Sequence, residues 1–166
     1  MSLADFEIER INHPVDVVEH LASLNEWAFE RSSDHEITIS VEGSWSAYHV
    51  SFSWMEDHEA LHLACGFDLK VPQTRLGEIT KLLALVNEQL WLGHFDLWHD
   101  QSAIVFRATL LLSGGADATP QQCARMLEVA AEVCERYYEA FQYVVWAGKS
   151  AQDALSDALF ETAGEA

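Results

Sequence analysis

From residue 37 to residue 71 the apolar side chains recur at every second position, in three runs. Two short polar segments, Gly43-Ser44 and Glu56-Asp57-His58-Glu59, separate the runs. A period of two places alternate side chains on opposite faces of a β-strand, so the pattern predicts a three-stranded antiparallel meander with one apolar face. The apolar positions are Ile37, Ile39 and Val41, then Tyr48, Val50, Phe52 and Trp54, then Leu61, Leu63, Cys65, Phe67, Leu69 and Val71.

The same parity predicts how these strands pair, because a shift by one residue would move every apolar side chain to the polar face. Gly43 stands first in the turn between the first two strands, as a type II′ turn prefers. The second turn is centred on Asp57-His58. The resulting register pairs Trp54 with Leu61, Phe52 with Leu63, Val50 with Cys65, Tyr48 with Phe67, His49 with Gly66 and Ser53 with His62.

Helical periodicity of 3.6 residues appears on both sides of the meander. The predicted helices span residues 14–29, 73–91 and 120–147, with a last short helix from Ser150 to about Phe160. Thr119, Pro120 and Gln122 form a capping box, which satisfies free amide groups where the third helix begins. Residues 1–12 are predicted to be a flexible lead-in, and residues 161–166 are expected to fray. Residues 13–166 are predicted to form a single domain.

A second hairpin is predicted over residues 95–111, around His99-Asp100-Gln101-Ser102. Its second face carries Trp98, Val105 and Leu111, so we expect both of its faces to be covered. The predicted order of elements is α-β-β-β-α-β-β-α-α. This order predicts an α+β fold in which helices pack on an antiparallel five-stranded sheet.

The charge of the chain limits its partners. The 166 residues include 27 Asp and Glu against 9 Lys and Arg, which gives a formal net charge of −18 at pH 7. This charge repels nucleic acid backbones and anionic membranes, and it favours basic or uncharged partners. Acidic side chains also repeat along the last two predicted helices, where they serve either solubility or a basic partner. They are Glu128, Glu132, Glu135 and Glu139, then Asp153, Asp157, Glu161 and Glu165.

The sequence also predicts a compartment and a redox state. The first residues lack the basic and apolar regions of a signal peptide, and no window approaches the roughly 18 apolar residues of a membrane span. A cytoplasmic protein without a membrane segment is therefore predicted. Cys65, Cys123 and Cys134 fall among apolar residues rather than in a C-x-x-C pair, which predicts buried free thiols.

Motifs of catalysis and cofactor binding are missing from the sequence. It contains no G-x-S-x-G elbow, phosphate loop or H-E-x-x-H motif, so neither an enzyme nor a cofactor is predicted. His49 and His62 share the predicted polar face but lie four residues apart along the ladder, about 13 Å, too far to bind one metal ion. The remaining metal candidates are His94, Asp96 and His99, which are otherwise ordinary turn and edge residues.

Five stretches of the chain resemble one protein family from Asn12 to the C-terminus. They are PVDVVE at 14–19, SFSW at 51–54, LHLAC at 61–65, NEQLWLGHFD at 87–96 and FQYVVWAGKS at 141–150. The family is YbjN, a set of bacterial proteins labelled as sensory transduction regulators. The resemblance implies the fold of type III secretion chaperones, which are small acidic dimers that bind extended segments of other proteins. It implies no catalytic residue.

These observations predict a non-enzymatic protein-binding module, chaperone-like or regulatory, that acts as a homodimer on a basic or amphipathic segment of another protein. The homodimer is expected because the long helix and the second hairpin carry more apolar surface than one core needs. The alternatives are a small-ligand or metal-binding sensor that uses His49, His62 and Asp68, and a purely structural homodimer. The predicted protein-binding residues are Trp91, Trp98, Tyr143, Trp146, Asp153, Asp157 and Glu161.

Overall fold

One antiparallel sheet with helices on one of its faces makes up the described part of the chain. The computed structural model describes residues 11–164, of which residues 161–164 are described by their backbone alone. The elements are α1 (Pro14–Leu24), β1 (Phe29–Ser33), β2 (Glu36–Glu42), β3 (Ala47–Met55), β4 (Ala60–Lys70), α2 (Leu76–Asn87), β5 (His94–Trp98), β6 (Ala103–Leu111), α3 (Pro120–Val145) and α4 (Ala151–Gly164). The strand order is β1-β2-β3-β4-β6-β5.

The α+β class and the antiparallel sheet are confirmed, but the predicted count of five strands is wrong, because the sheet has six. The extra strand, β1, begins at Phe29, the last residue of the predicted first helix, and continues through residues 30–33, for which no strand was predicted. That helix stops at Leu24 in a Schellman motif, in which Trp27 N–H donates to the Ala22 carbonyl at 3.0 Å. Glu26 takes the left-handed conformation, with φ 56°, at the position where glycine is usual. No glycine marks the end of this helix, so the prediction extended it too far.

The meander register is confirmed at all six predicted pairs, from Trp54 with Leu61 to Tyr48 with Phe67. The predicted type II′ turn at Gly43 is wrong. Four residues, 43–46, connect β2 to β3, and Gly43 N–H donates to the Ser46 carbonyl at 2.8 Å. Gly43 does not take a positive φ. A glycine is required there because a β-carbon would lie 2.2 Å from the Tyr48 ring.

The core lies between the helices and the apolar face of the sheet. Helix α3, with 26 residues or about 39 Å, crosses this inner face, and the predicted capping box at its start is present. Phe141 of α3 packs on Phe67 and Phe95, with ring centroids 6.0 and 5.1 Å apart. Helix α4 packs on α2 and α3. It continues to Gly164, four residues beyond the predicted end at about Phe160. The predicted lead-in falls almost wholly outside the described residues.

Helix α2 is shorter than the predicted span of 73–91. Residues 73–75 form a 3₁₀ turn, and the helix ends at Asn87. The Asn87 side chain binds the backbone of Phe95 twice, accepting from its N–H at 2.7 Å and donating to its carbonyl at 3.0 Å. These bonds satisfy backbone groups on the outer edge of β5, which would otherwise be open to pairing with another strand.

The Asn87 contact can be tested by truncation. Asn87→Ala leaves the Phe95 N–H and carbonyl without these partners, so we expect a loss of about 1–3 kcal/mol in the free energy of unfolding. Urea denaturation followed by tryptophan fluorescence measures it. Glu88→Ala, at the exposed neighbouring position, is the matched control. Equal urea midpoints for the two variants would contradict the proposed role of Asn87.

Candidate functional site: the uncovered face of the sheet

The outer face of the sheet is not covered by any helix in the described part of the chain. Its middle strands form an open groove of about 740 Å³. Small side chains make its floor, and at Gly66 a β-carbon would have no atom within 4 Å. The lining residues are Glu36, His49, Ser51, Ser53, His62, Ala64, Gly66, Phe67, Asp68, Trp98, Gln101, Ala103 and Val105.

The second hairpin contributes one wall of this groove, and no other element of the described chain covers its outer face. Coverage of that face by a second copy of the chain stays a prediction. Leu111 is 66% exposed and Trp98 is half-buried on the outer face, whereas Val105 is buried. Strand β6 lies between β4 and β5, which places Val105 between Gly66 and Asp96. Its burial therefore comes from the two flanking strands rather than from a second layer.

The groove carries a carboxylate near each end. Glu36 pairs with Ser53, which in turn pairs with His62, so it stands at the His62 level of the ladder. Asp68 lies six residues further along β4, about 20 Å at 3.3 Å per residue. Trp98 lines the groove near the Asp68 end. The groove is thus long enough for about six residues of extended chain.

The only guanidinium close to the groove in the described residues belongs to Arg107, and it is already paired. Its Nε donates to Nε2 of His62 at 3.0 Å, and its NH1 lies 3.1 Å from an Asp96 carboxylate oxygen. Partial burial lowers the pKa of His62, and the charges of Arg107 and His94 lower it further. A neutral His62 ring accepts the Arg107 hydrogen bond. None of the residues that line the groove is Lys or Arg.

The predicted protein-binding residues do not form one surface. Trp98 lines the groove, whereas Trp91 is 73% exposed and lies 5.9 Å from the Arg125 guanidinium near the start of α3. Tyr143 and Trp146 lie at the other end of α3, about 27 Å further along its axis from Arg125. Beside Trp91, an apolar pocket of about 350 Å³ opens between Leu92, Leu110 and Met126, with Thr109, Gln121, Gln122 and Arg125 at its rim.

Two of the predicted protein-binding residues, Tyr143 and Asp157, stabilise the corner between α3 and α4. Lys149 Nζ stands 4.3 Å from the centre of the Tyr143 ring and 2.6 Å from an Asp157 carboxylate oxygen. Arg75 donates to the carbonyls of Val144 and Lys149 at 2.8 and 2.7 Å. Tyr143 and Asp157 therefore contribute to the fold of the chain itself.

The other predicted protein-binding residues near this corner are Trp146, Asp153 and Glu161. Trp146 is 66% exposed and Asp153 is exposed on α4. The Glu161 side chain lies outside the described residues. Unlike Trp98, Trp146 and Asp153 do not line the groove.

The metal candidates are placed around Arg107. Asp96 forms the ion pair with Arg107, and His94 pairs with Arg107 across the β5–β6 ladder. His99 lies in the turn after β5. Within residues 11–164, no three His, Cys, Asp or Glu side chains lie close enough together to hold a metal ion. His49 and His62 both line the groove, at the separation that the register predicts.

Comparison with known families assigns the chain. The profile of a family described as "YbjN: Putative bacterial sensory transduction regulator" matches residues 14–143. The chain belongs to the YbjN family. This confirms the resemblance on which the sequence-based expectation of its fold and regulatory role depended. Comparison with curated proteins found no match.

Two solved structures are similar to this YbjN family member. The crystal structure of "YbjN, a putative transcription regulator from E. coli" aligns with a TM-score of 0.54 at 10% identity over 73% of this chain and 85% of that chain. A chain of the ExsC-ExsE complex aligns with a TM-score of 0.47 at 19% identity over 77% of this chain and 96% of that chain. Within the described residues, no helix is long and apolar enough to span a bilayer.

Several residues in the stretches that resemble the family stabilise the fold of this chain. The stretch 87–96 contains Asn87, which binds the Phe95 backbone, and Gly93, whose φ is 73° and where a β-carbon would lie 2.5 Å from the Phe106 ring. The stretch 141–150 contains the corner between α3 and α4, where Lys149 contacts Tyr143 and Asp157. From these stretches, His62 and Asp96 make side-chain contacts with Arg107 beside the groove.

The lowered pKa of His62 makes a prediction about pH. Because its pKa in the folded chain lies below the ordinary value of 6.5, the unfolded chain binds more protons as the pH falls through that value. The stability that neutral His62 contributes is therefore present above about pH 6.5 and is lost as the pH falls. We expect His62→Gln, which keeps an acceptor for Arg107, to reduce the decrease in the free energy of unfolding as the pH falls below about 6.5.

Urea midpoints measured across this pH range check the prediction, and an NMR titration of the His62 ring reads its pKa directly. His99→Gln, at an exposed position in the turn after β5, is the control. If His62 titrated above 6.5, or if both variants kept the wild-type pH dependence, this description of the cluster would be wrong.

Proposed function

We propose that this YbjN family member is a non-enzymatic, protein-binding regulator that holds a basic, extended segment of a partner protein in the groove on the outer face of its sheet. The observation that carries the proposal is the charge layout of the groove. Glu36 and Asp68 stand near its two ends, none of its lining residues is Lys or Arg, and the nearby Arg107 is paired with Asp96.

The shape and chemistry of the groove suit a polypeptide. Its length of about 20 Å matches roughly six extended residues. The polar groups of Ser51, Ser53 and His49 lie along it and can bond to a backbone or to polar side chains. Trp98 offers an indole face to a Lys or Arg side chain near Asp68, an arrangement that contributes about 0.5–2 kcal/mol when partly desolvated.

The charge of the whole chain supports the same partner. A net charge of −18 attracts a basic segment from a distance and speeds its encounter. The attraction is screened over about 8–10 Å at physiological ionic strength, so binding should weaken as salt is added.

The groove supports binding more than catalysis. Ser53 and His62 face each other across β3 and β4, which is a pairing that could in principle activate a hydroxyl. However, Nε2 of His62 accepts a hydrogen bond from Arg107 Nε, so the nitrogen that would serve as the base is occupied. The homodimer and the cytoplasmic location predicted from the sequence stay predictions.

Binding can be measured with a synthetic probe. A fluorescently labelled peptide that alternates Lys with Val should bind the protein, and the same peptide with Glu in place of Lys should not. We expect Asp68→Lys and Trp98→Ala each to weaken the binding of the Lys peptide by about tenfold. A tenfold change corresponds to about 1.4 kcal/mol, the expected contribution of one charge or ring contact. Fluorescence anisotropy at two salt concentrations provides the measurement.

Asp153→Lys is the matched control, because it makes the same change of charge on α4, away from the groove. If only the net charge mattered, Asp68→Lys and Asp153→Lys would weaken peptide binding equally. Equal weakening would contradict the groove as the binding site and would favour binding to the acidic helix faces. Binding of the Glu peptide as tightly as the Lys peptide would contradict the proposed charge preference.

A further inference from the structure

Two cysteines from different layers of the fold meet in the core. Cys65 lies in β4 on the inner face of the sheet, Cys134 lies in α3, and both side chains are fully buried. Their sulfur atoms are 3.6 Å apart, and the Cys134 thiol donates a hydrogen bond to Cys65 Sγ. Cys123, the third free thiol, lies three turns earlier in α3, about 16 Å from Cys134 along the helix axis.

We propose that Cys65 and Cys134 are an oxidisable pair that closes to a disulfide, while Cys123 stays a free thiol. Nothing lies between the two sulfur atoms, which are in direct contact. A disulfide bond is about 2.0 Å long, so the sulfurs must approach each other by roughly 1.6 Å. The side chain of cysteine reorients by a single torsion, and each sulfur already faces the other.

The oxidant is hydrogen peroxide, and the reaction has two steps. One thiol attacks the peroxide, the O–O bond breaks, and a sulfenic acid and one water form. The second thiol then attacks the sulfenic sulfur, the S–S bond forms, and a second water leaves. Two thiols are thereby oxidised by two electrons, and one peroxide is reduced to two waters.

The surroundings of the pair set the pace of this reaction. Burial and the neighbouring Cys65 raise the pKa of the Cys134 thiol well above its ordinary value. Because the thiolate is the reactive form, we expect slow oxidation at neutral pH and faster oxidation at alkaline pH. Burial alone raises the pKa of Cys123 to about 11. Cys123 is therefore a buried thiol without a second sulfur in contact, which makes it an internal control.

The disulfide would fasten α3 to the strand that underlies the groove. Cys65 stands between Ala64 and Gly66, which point to the opposite face and form part of the groove floor. Closing the bond joins two segments 69 residues apart in the chain, which removes conformational freedom from the unfolded state. We therefore expect oxidation to raise the urea midpoint. Any effect on peptide affinity rests on the proposed function, whereas the bond itself does not.

The full chain is treated with hydrogen peroxide at mildly alkaline pH, and the remaining thiols are alkylated after unfolding. We expect the intact mass to show loss of two hydrogens and a single alkylated cysteine. Trypsin separates the three cysteines into the peptides 32–70, 108–125 and 126–136. The peptide 32–70 should be linked to 126–136, the alkyl group should lie in 108–125, and a reductant should reverse the link.

Cys123→Ser should keep the linked product, whereas Cys65→Ser and Cys134→Ser should each remove it. Because a buried substitution can weaken folding, the wild-type peptide map is the deciding measurement. Three alkylated cysteines after oxidation, sulfinic or sulfonic acids at Cys65 or Cys134, or linkage through Cys123 would each overturn the proposal. None of these outcomes depends on whether the groove binds a peptide.

Discussion

The packing of α3 across the inner face of the sheet is the contact on which the rest of the structure depends. Helix α3 contacts α1, α2, α4 and strands β3, β4, β5 and β6, and twelve of its residues are buried. Phe141 lies against Phe67 and Phe95, and truncating a buried phenylalanine costs about 3–5 kcal/mol in a packed core. Because one layer of helices uses the whole apolar face, the alternation of the strands leaves the polar face to solvent.

The polar face is where the chemistry of this YbjN family member can act. Small residues at Ala64 and Gly66 lower its floor, and Glu36 and Asp68 place negative charge towards both ends. Arg107 lies beside the groove, and Asp96 and His62 hold it. Lys70 lies on the same outer face at the Asp68 end of β4, but it is not one of the lining residues. The same parity that builds the core thus produces a groove whose charge suits a basic segment.

The register of the meander was predictable because burial fixes it: every apolar side chain from Tyr48 to Phe67 must face the same way. The capping box at Thr119 was predictable because it is local in sequence. Strand β1 was not, since Glu26 replaces the usual glycine at the end of α1 and the exposed strand has no apolar alternation. Sequence reasoning also missed Arg107 and Asn87, because their roles depend on β6 lying beside β4 and on α2 reaching β5.

The positions of the aromatic residues predicted to bind a protein also depend on the tertiary fold, since Trp91 and Trp146 lie at opposite ends of α3. The direct test of the groove is an NMR titration of the ¹⁵N-labelled protein with the Lys-Val peptide. If the groove holds the peptide, the amide signals of residues 62–68 in β4 and 103–107 in β6 shift, while those of α4 stay in place. Shifts confined to α4, or to the residues around Trp91, would contradict it.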